Sequence, residues 1–158
     1  MSESKASKND STCGSIIQPC ASIAHALHIS QDSDSILLDT SFEHISDQSL
    51  HINKAVTINS YGSISRSAVL NFTYSCYDWD GSFITISKDV SIHNIEIITI
   101  RYECAIFELD DPCQHVIIEH CNMITSTKDR GTTFIFKNKN LTKLVINDTN
   151  YTNDVNFA

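Results

Sequence analysis

The stretch SFITISKDVSIHNIEI (82–97) decides the architecture. It reads as short alternating strands, broken at Lys88-Asp89 and again at His93-Asn94. Strict apolar/polar alternation over a few residues marks a strand that buries one face. The same figure returns as CAIFELDDPCQHVIIEHCNM (104–123) and as TFIFKNKNLTKLVINDTNY (133–151). Val90 to Val116 is 26 residues and Val116 to Leu144 is 28, and Ile92, Ile118 and Ile146 keep the same two intervals. Self-similarity at such a period marks a solenoid, and strands as the repeating element make it a β-solenoid.

The repeat predicts three inward columns. Ile84-Ile86, Phe107-Leu109 and Phe134-Phe136 form the first, and Val90-Ile92, Val116-Ile118 and Leu144-Ile146 the second. Ile95-Ile97, Cys121-Met123 and Thr149-Tyr151 continue the second round a corner at His93-Asn94, Glu119-His120 and Asn147-Asp148. Asn and Asp tolerate the left-handed backbone that a tight corner needs, so these polar residues have a structural use.

Outward from this core, residues 1–12 show no apolar periodicity and are expected to be a disordered tail. CGSIIQPCASIAHALHIS (13–30) predicts a short amphipathic helix over about 20–28, with Pro19 suited to its first turn. Residues 13–32 thus form an N-terminal cap, and 33–158 the coils. SDSILLDTSFEHISDQSLHINKAVTINSYGS (33–63) reads as three strands centred near Leu37, Ile52 and Ile58, and SAVLNF (67–72) carries the pattern on. NDTNYTNDVNFA (147–158) holds no helix, Pro or charged strand to cover the last edge. Further coils of a longer chain, or an oligomer partner, are expected there.

The helix with CG…PC-SI--AL, then D-S-I-L-L, then L-H-I-N-K-A-V-T-I-N-S-Y-G, resembles the opening coil of pectin-lyase-like right-handed parallel β-helix domains. In that superfamily a short amphipathic helix covers the open N-terminal end of the solenoid. The resemblance covers about residues 13–153 and implies an all-β, right-handed parallel β-helix with a capping helix. It does not fix an activity, because that superfamily holds lyases, hydrolases, adhesins and inert stalks.

Composition narrows the field. The 158 residues are 41% hydrophobic and 19% charged, enough apolar surface for one packed domain and too much for a disordered chain. Four Gly and two Pro do not make a collagen-like or Pro-rich chain. A net charge of −8 with scattered Lys and Arg lacks the basic footprint of a nucleic-acid binder. No apolar run approaches the ~18 residues of a membrane span, and no secretory signal is visible at the start. Six Cys and the N-x-S/T sequons at Asn9, Asn71, Asn140, Asn147 and Asn150 nevertheless point to an extracellular or cell-surface protein. The intracellular alternative leaves the sequons unused, since a Ser/Thr/Asn-rich sequence makes them by chance.

Thr73 to Gly81 interrupts the strand rhythm and carries Tyr74, Tyr77, Asp78, the only Trp (Trp79) and Asp80. That is the composition of a sugar-stacking or protein-contact loop, and also of an excursion packed on the solenoid wall. Asp78, Asp80, Asp110, Asp111 and Asp129 all fall in breaks between strands. Glycoside hydrolysis needs two carboxyls ~5–10 Å apart across a sugar bond. Asp110-Asp111 resembles the D-D element of β-helix polygalacturonases, but no preceding Gly, N-x-D partner or His-Gly pair accompanies it. The lyase branch uses Ca²⁺-binding carboxylates and a basic residue, and Arg101 and Arg130 lie in no such motif. Solvated turn acids are the simpler reading.

Cys113, His115, His120 and Cys121 could offer zinc ligands, yet the spacing fits no zinc module, and alternation sends Cys121 inward while His120 sits at a corner. No metal or cofactor is expected. Cys13 and Cys20 are disulfide candidates with each other. Cys76, Cys104, Cys113 and Cys121 are disulfide or stacked-thiol candidates whose pairing stays open. The sequence therefore reads as a non-catalytic structural or adhesive β-helix, its glycan or protein contacts at 73–81. The alternative is a carbohydrate-active lyase or hydrolase using the acids above.

Overall fold

The computed structural model describes residues 12–63, 65–76, 81–101, 104–125 and 133–153. The expected tail, at residues 1–11, lies outside that set. One helix, α1 (Ile23–Ile29), precedes a continuous series of strands. These are β1 (Ser35–Asp39), β2 (Glu43–Ser46), β3 (Leu50–Ile52), β4 (Val56–Tyr61), β5 (Ala68–Cys76), β6 (Ser82–Ile86) and β7 (Val90–His93). There follow β8 (Ile95–Arg101), β9 (Ala105–Leu109), β10 (His115–Glu119), β11 (Asn122–Thr125), β12 (Phe134–Phe136), β13 (Lys143–Asn147) and β14 (Asn150–Asn153).

The strands fall into three sheets, β1-β4-β7-β10-β13, β2-β5-β8-β11-β14 and β3-β6-β9-β12, with every pair parallel. Each coil thus contributes one strand to each sheet, and the chain is an all-β parallel solenoid. A strand this short buries one face and leaves its backbone half-paired, so stacking on the next coil satisfies both needs.

The expected columns form in register. Ile58, Ile92, Ile118 and Ile146 are successive partners in the first sheet. Ile84, Phe107 and Phe134 line up in the third, with Phe107 and Phe134 stacked at 5.3 Å between ring centroids. Ile97, Met123 and Tyr151 line up in the second. The interval is not uniform, since Ile36 pairs with Ile58 but Ile58 pairs with Ile92. The extra length falls in the coil that holds a register shift in β5 between Phe72 and Ser75.

The corners have a backbone cause. Asn94, His120 and Asp148 all have positive φ (57°, 54° and 44°). The amide of Asn94 donates to the Glu119 carbonyl at 3.1 Å, and that of His120 to Asn147 at 3.0 Å. The left-handed residue therefore both bends the chain and binds the next coil. Gly62 serves one corner of the second coil, where φ is 116° and an added Cβ would stand 2.7 Å from Thr40 Oγ1.

Three expectations need correction. The helix begins at Ile23, with Ser22 as its N-cap accepting from the His25 amide at 3.2 Å, so Pro19 lies ahead of it rather than in its first turn. Residues 33–63 hold four strands, not three. β2 was missed because its only buried residue is Ser46, and no apolar alternation marks it. Finally, Thr73–Cys76 belongs to strand β5 and is not part of a loop.

The cap is fastened at both ends. Cys13 and Cys20 form a disulfide. Lys54 reaches back from the β3–β4 connection to the carbonyls of His28 (2.7 Å) and Ser30, the usual place for a cation at a helix C-terminus.

Candidate functional site

The two middle strands of the third sheet, β6 and β9, are buried on both sides. Phe83, Ile106 and Glu108 alternate with the inward column of Ile84, Phe107 and Leu109, and all six are buried. The signal was present in the sequence, because Ala105-Ile106-Phe107 does not alternate and continuous apolar runs mark doubly covered strands.

Tyr74 is part of the cover. Its ring lies 5.1 Å from that of Phe83 and 6.3 Å from that of Phe72, and its hydroxyl donates to the Ser82 carbonyl at 3.3 Å. Burial pushes its phenol up to about 12, against a smaller opposing effect from a hydrogen bond with the Ser49 side chain. Tyr74 thus offers packing rather than an open stacking face. Tyr77, Asp78, Trp79 and Asp80 lie outside the described residues.

Both ends of that stretch are anchored. Cys76 is disulfide-bonded to Cys104, joining the end of β5 to the start of β9 with 5.8 Å between Cα atoms. Gly81 accepts at its carbonyl from the Ala105 amide at 3.0 Å. The two remaining cysteines, Cys113 and Cys121, are free, buried thiols, and burial raises the pKa of each.

Glu108 is the one carboxylate among the described residues that the fold buries. It pairs with Lys137 Nζ at 3.0 Å across successive coils. Sequence reading missed it, since a single Glu in an apolar strand gives no hint of which face is covered.

Asp110 and Asp111 follow β9 and serve the turn. Asp110 Oδ1 accepts from the Asp111 amide at 2.9 Å. Asp111 Oδ1 accepts from the Lys139 amide at 3.1 Å and from Asn140 Nδ2 at 3.2 Å. Asn138 adds Nδ2 bonds to the Asp110 carbonyl (3.2 Å), the Cys113 carbonyl and the Cys113 sulfur (3.0 Å). The pair ties two coils together. Asp129 and Arg130 lie outside the described residues, as does the side chain of Arg101.

The zinc candidates are not brought together as a ligand set. His115 pairs with Asp89 at 2.9 Å and His120 with Asp148 at 3.4 Å, both exposed, while Cys113 and Cys121 face the core. His93 makes a third such contact, 3.5 Å from Glu119. All three pairs join neighbouring coils. Cys13, Cys20 and His25 also cluster, but the two sulfurs are already bonded to each other.

Of the sequons, Asn140, Asn147 and Asn150 are exposed in the last coil. Asn71 is half-buried and donates to Glu43 at 2.5 Å, and Asn9 lies outside the described residues. No described helix is long and apolar enough to cross a membrane. Comparison with family models, with curated proteins and with solved structures finds no match.

Proposed function

We propose that this chain is a non-catalytic structural or adhesive β-helix of the pectin-lyase-like kind, working outside the cell or at its surface. One observation carries the reading. Of the described acids that could have formed a catalytic pair, Asp110 caps its own turn and Asp111 holds the next coil. A general acid or nucleophile would need a carboxyl aimed at a substrate rather than at backbone amides of its own turn. Two disulfides favour an oxidising compartment. The anchored stretch after Cys76, with Tyr77 and Trp79, is where a glycan or protein would be met. The last coil would accept further coils or an oligomer partner.

Activity against a panel of polyuronides, with and without Ca²⁺, tests the reading. No turnover is expected from the wild type. Turnover that disappears in Asp111→Ala would establish the carbohydrate-active alternative. For contact at 73–81, binding on a glycan array should fall in Trp79→Ala and Tyr77→Ala, and unchanged binding would move the contact elsewhere.

A further inference from the structure

Three of the N-x-S/T sequons, Asn140-Leu141-Thr142, Asn147-Asp148-Thr149 and Asn150-Tyr151-Thr152, fall within the last described coil. Such a triplet accepts an N-linked glycan where the chain can hold a bulky, polar group at its surface. The fold sorts the described sequons by that requirement.

Asn147 ends β13 and stands on the outer wall of the first sheet, in the column Asn59, His93, Glu119, Asn147. Its openness does not depend on lying last in the stack. His93 and Glu119 have a coil on either side and still expose 25% and 29% of their side chains. Thr149 Oγ1 donates to the Asn147 carbonyl at 3.0 Å, and the Asn147 side-chain amide has no hydrogen-bond partner among the described residues.

Asn150 opens β14 in the second sheet, in the outward column Val69, Glu96, Asn122, Asn150. The left-handed Asp148 turns the chain between Asn147 and Asn150, so these two side chains stand on different walls although they are close in sequence. Asn140 is exposed between β12 and β13. Its Nδ2 donates to Asp111 Oδ1 at 3.2 Å, and that of Asn150 to Asn122 Oδ1 at 3.3 Å. Each amide keeps a second hydrogen, the one a sugar replaces.

Asn71-Phe72-Thr73 sits differently. Asn71 is half-buried within β5, between Ile45 and Ile98 of the coils before and after. Its Nδ2 is held 2.5 Å from Glu43 Oε1, and Phe72 beside it is fully buried in the core. A sugar on that nitrogen would have to stand over two isoleucines on the face of a sheet rather than at a corner.

We propose that the chain is N-glycosylated at Asn140, Asn147 and Asn150 and not at Asn71. The last described coil then carries the sugar, and the wall of β5, which leads into the stretch after Cys76, stays bare. The donor is an oligosaccharide on a lipid pyrophosphate. The side-chain Nδ2 attacks the anomeric carbon of the first sugar, and the bond from that carbon to the pyrophosphate oxygen breaks. The lipid pyrophosphate leaves, and Nδ2 gives up one proton. Whether the sugar arrives before or after folding, the folded wall has to leave room for it. The proposal rests on the extracellular reading above, to which the two disulfides also point.

The full chain is expressed in a eukaryotic cell line behind a supplied secretion leader. The compartment is thus given, and empty sequons count against this proposal alone. Whether the native chain leaves its own cell is tested separately, by fractionation. Secreted, folded protein is treated with a peptide N-glycosidase in ¹⁸O-water, which marks each occupied Asn as ¹⁸O-labelled Asp in the peptide map. Label is expected at Asn140, Asn147 and Asn150, and Asn71 should stay unlabelled. On a gel, Asn140→Gln, Asn147→Gln and Asn150→Gln should each remove one mobility step. Thr149→Ala should remove the same step as Asn147→Gln, while Thr149→Ser keeps it. Unmodified Asn147 and Asn150 in the secreted protein overturn the proposal, as does label at Asn71 equal to that at Asn147. If a variant is not secreted, the wild-type peptide map decides alone.

Discussion

Asp89 and His115 meet across successive coils, with His115 Nδ1 2.9 Å from Asp89 Oδ2. The other carboxylate oxygen accepts the backbone amides of Gln114 at 2.7 Å and His115 at 2.9 Å. One side chain thus fastens the start of β10 to the coil before it. Burial by itself would raise the carboxyl pKa, but the hydrogen bonds from the His115 ring and the two amides, with the His115 charge, outweigh it. The carboxyl is held below its ordinary value.

A pH dependence of stability follows from that direction. A carboxyl whose folded pKa is depressed contributes fully above its unfolded value and loses that contribution as pH falls through the folded one. The pair is about half exposed, so solvent screens it and Asp89→Ala should cost only about 1 kcal/mol near neutral pH. Urea midpoints of wild type and variant should converge below roughly pH 4. A gap that persists unchanged in acid would show that Asp89 acts by something other than its charge.

Position within a column should set the cost of truncation. Ile118 is fully buried between Ile92 and Ile146, so Ile118→Ala should cost about 2–5 kcal/mol. Ile146 lies in the last coil with 47% of its surface exposed, and Ile146→Ala should cost about 1 kcal/mol. Denaturant titrations of the two variants measure the difference. Equal losses would mean that the last coil is covered in solution.

The Cys76–Cys104 bridge closes a loop of sequence separation 28. Loop-closure entropy assigns it about 3–4 kcal/mol. Cys76→Ser/Cys104→Ser should lower the thermal midpoint by the amount that a reductant lowers it in wild type once the shorter Cys13–Cys20 bridge is allowed for. A thiol reagent should find no reactive group in the native oxidised chain and two after unfolding, because Cys113 and Cys121 are buried.

At the corner, His120 holds a left-handed backbone at φ 54°. His120→Val should cost about 1–2 kcal/mol, since a β-branched residue fits that region worst. His120→Asn should be tolerated to within about 1 kcal/mol, the most that its exposed contact with Asp148 would contribute. Thermal melts of the two variants separate a backbone cause from a side-chain one, and similar losses in both would count against the corner argument.

The columns were legible because the solenoid is nearly one-dimensional. Val90, Val116 and Leu144 repeat in sequence for the same reason that they stack in space, as each coil meets only its neighbours. The corners were legible too, since Asn94 and Asp148 are residues that bend easily. β2 was not, because Glu43 to Ser46 faces the core with one Ser and gains its structure from pairing with β5. Tyr74 read as a loop aromatic for the same reason in reverse. A polar-rich stretch does not reveal that its backbone stays within β5 across a register shift and that its ring covers Phe83.

By itself, then, the order of residues determined the repeat, the sheet-forming segments and the inward set, all of which depend on contacts at one fixed spacing. Only the tertiary structure decided which cysteines join, that Glu108 is buried against Lys137, and that β6 and β9 of the third sheet are covered on both sides. Those outcomes depend on where loops of unequal length fold back across the stack.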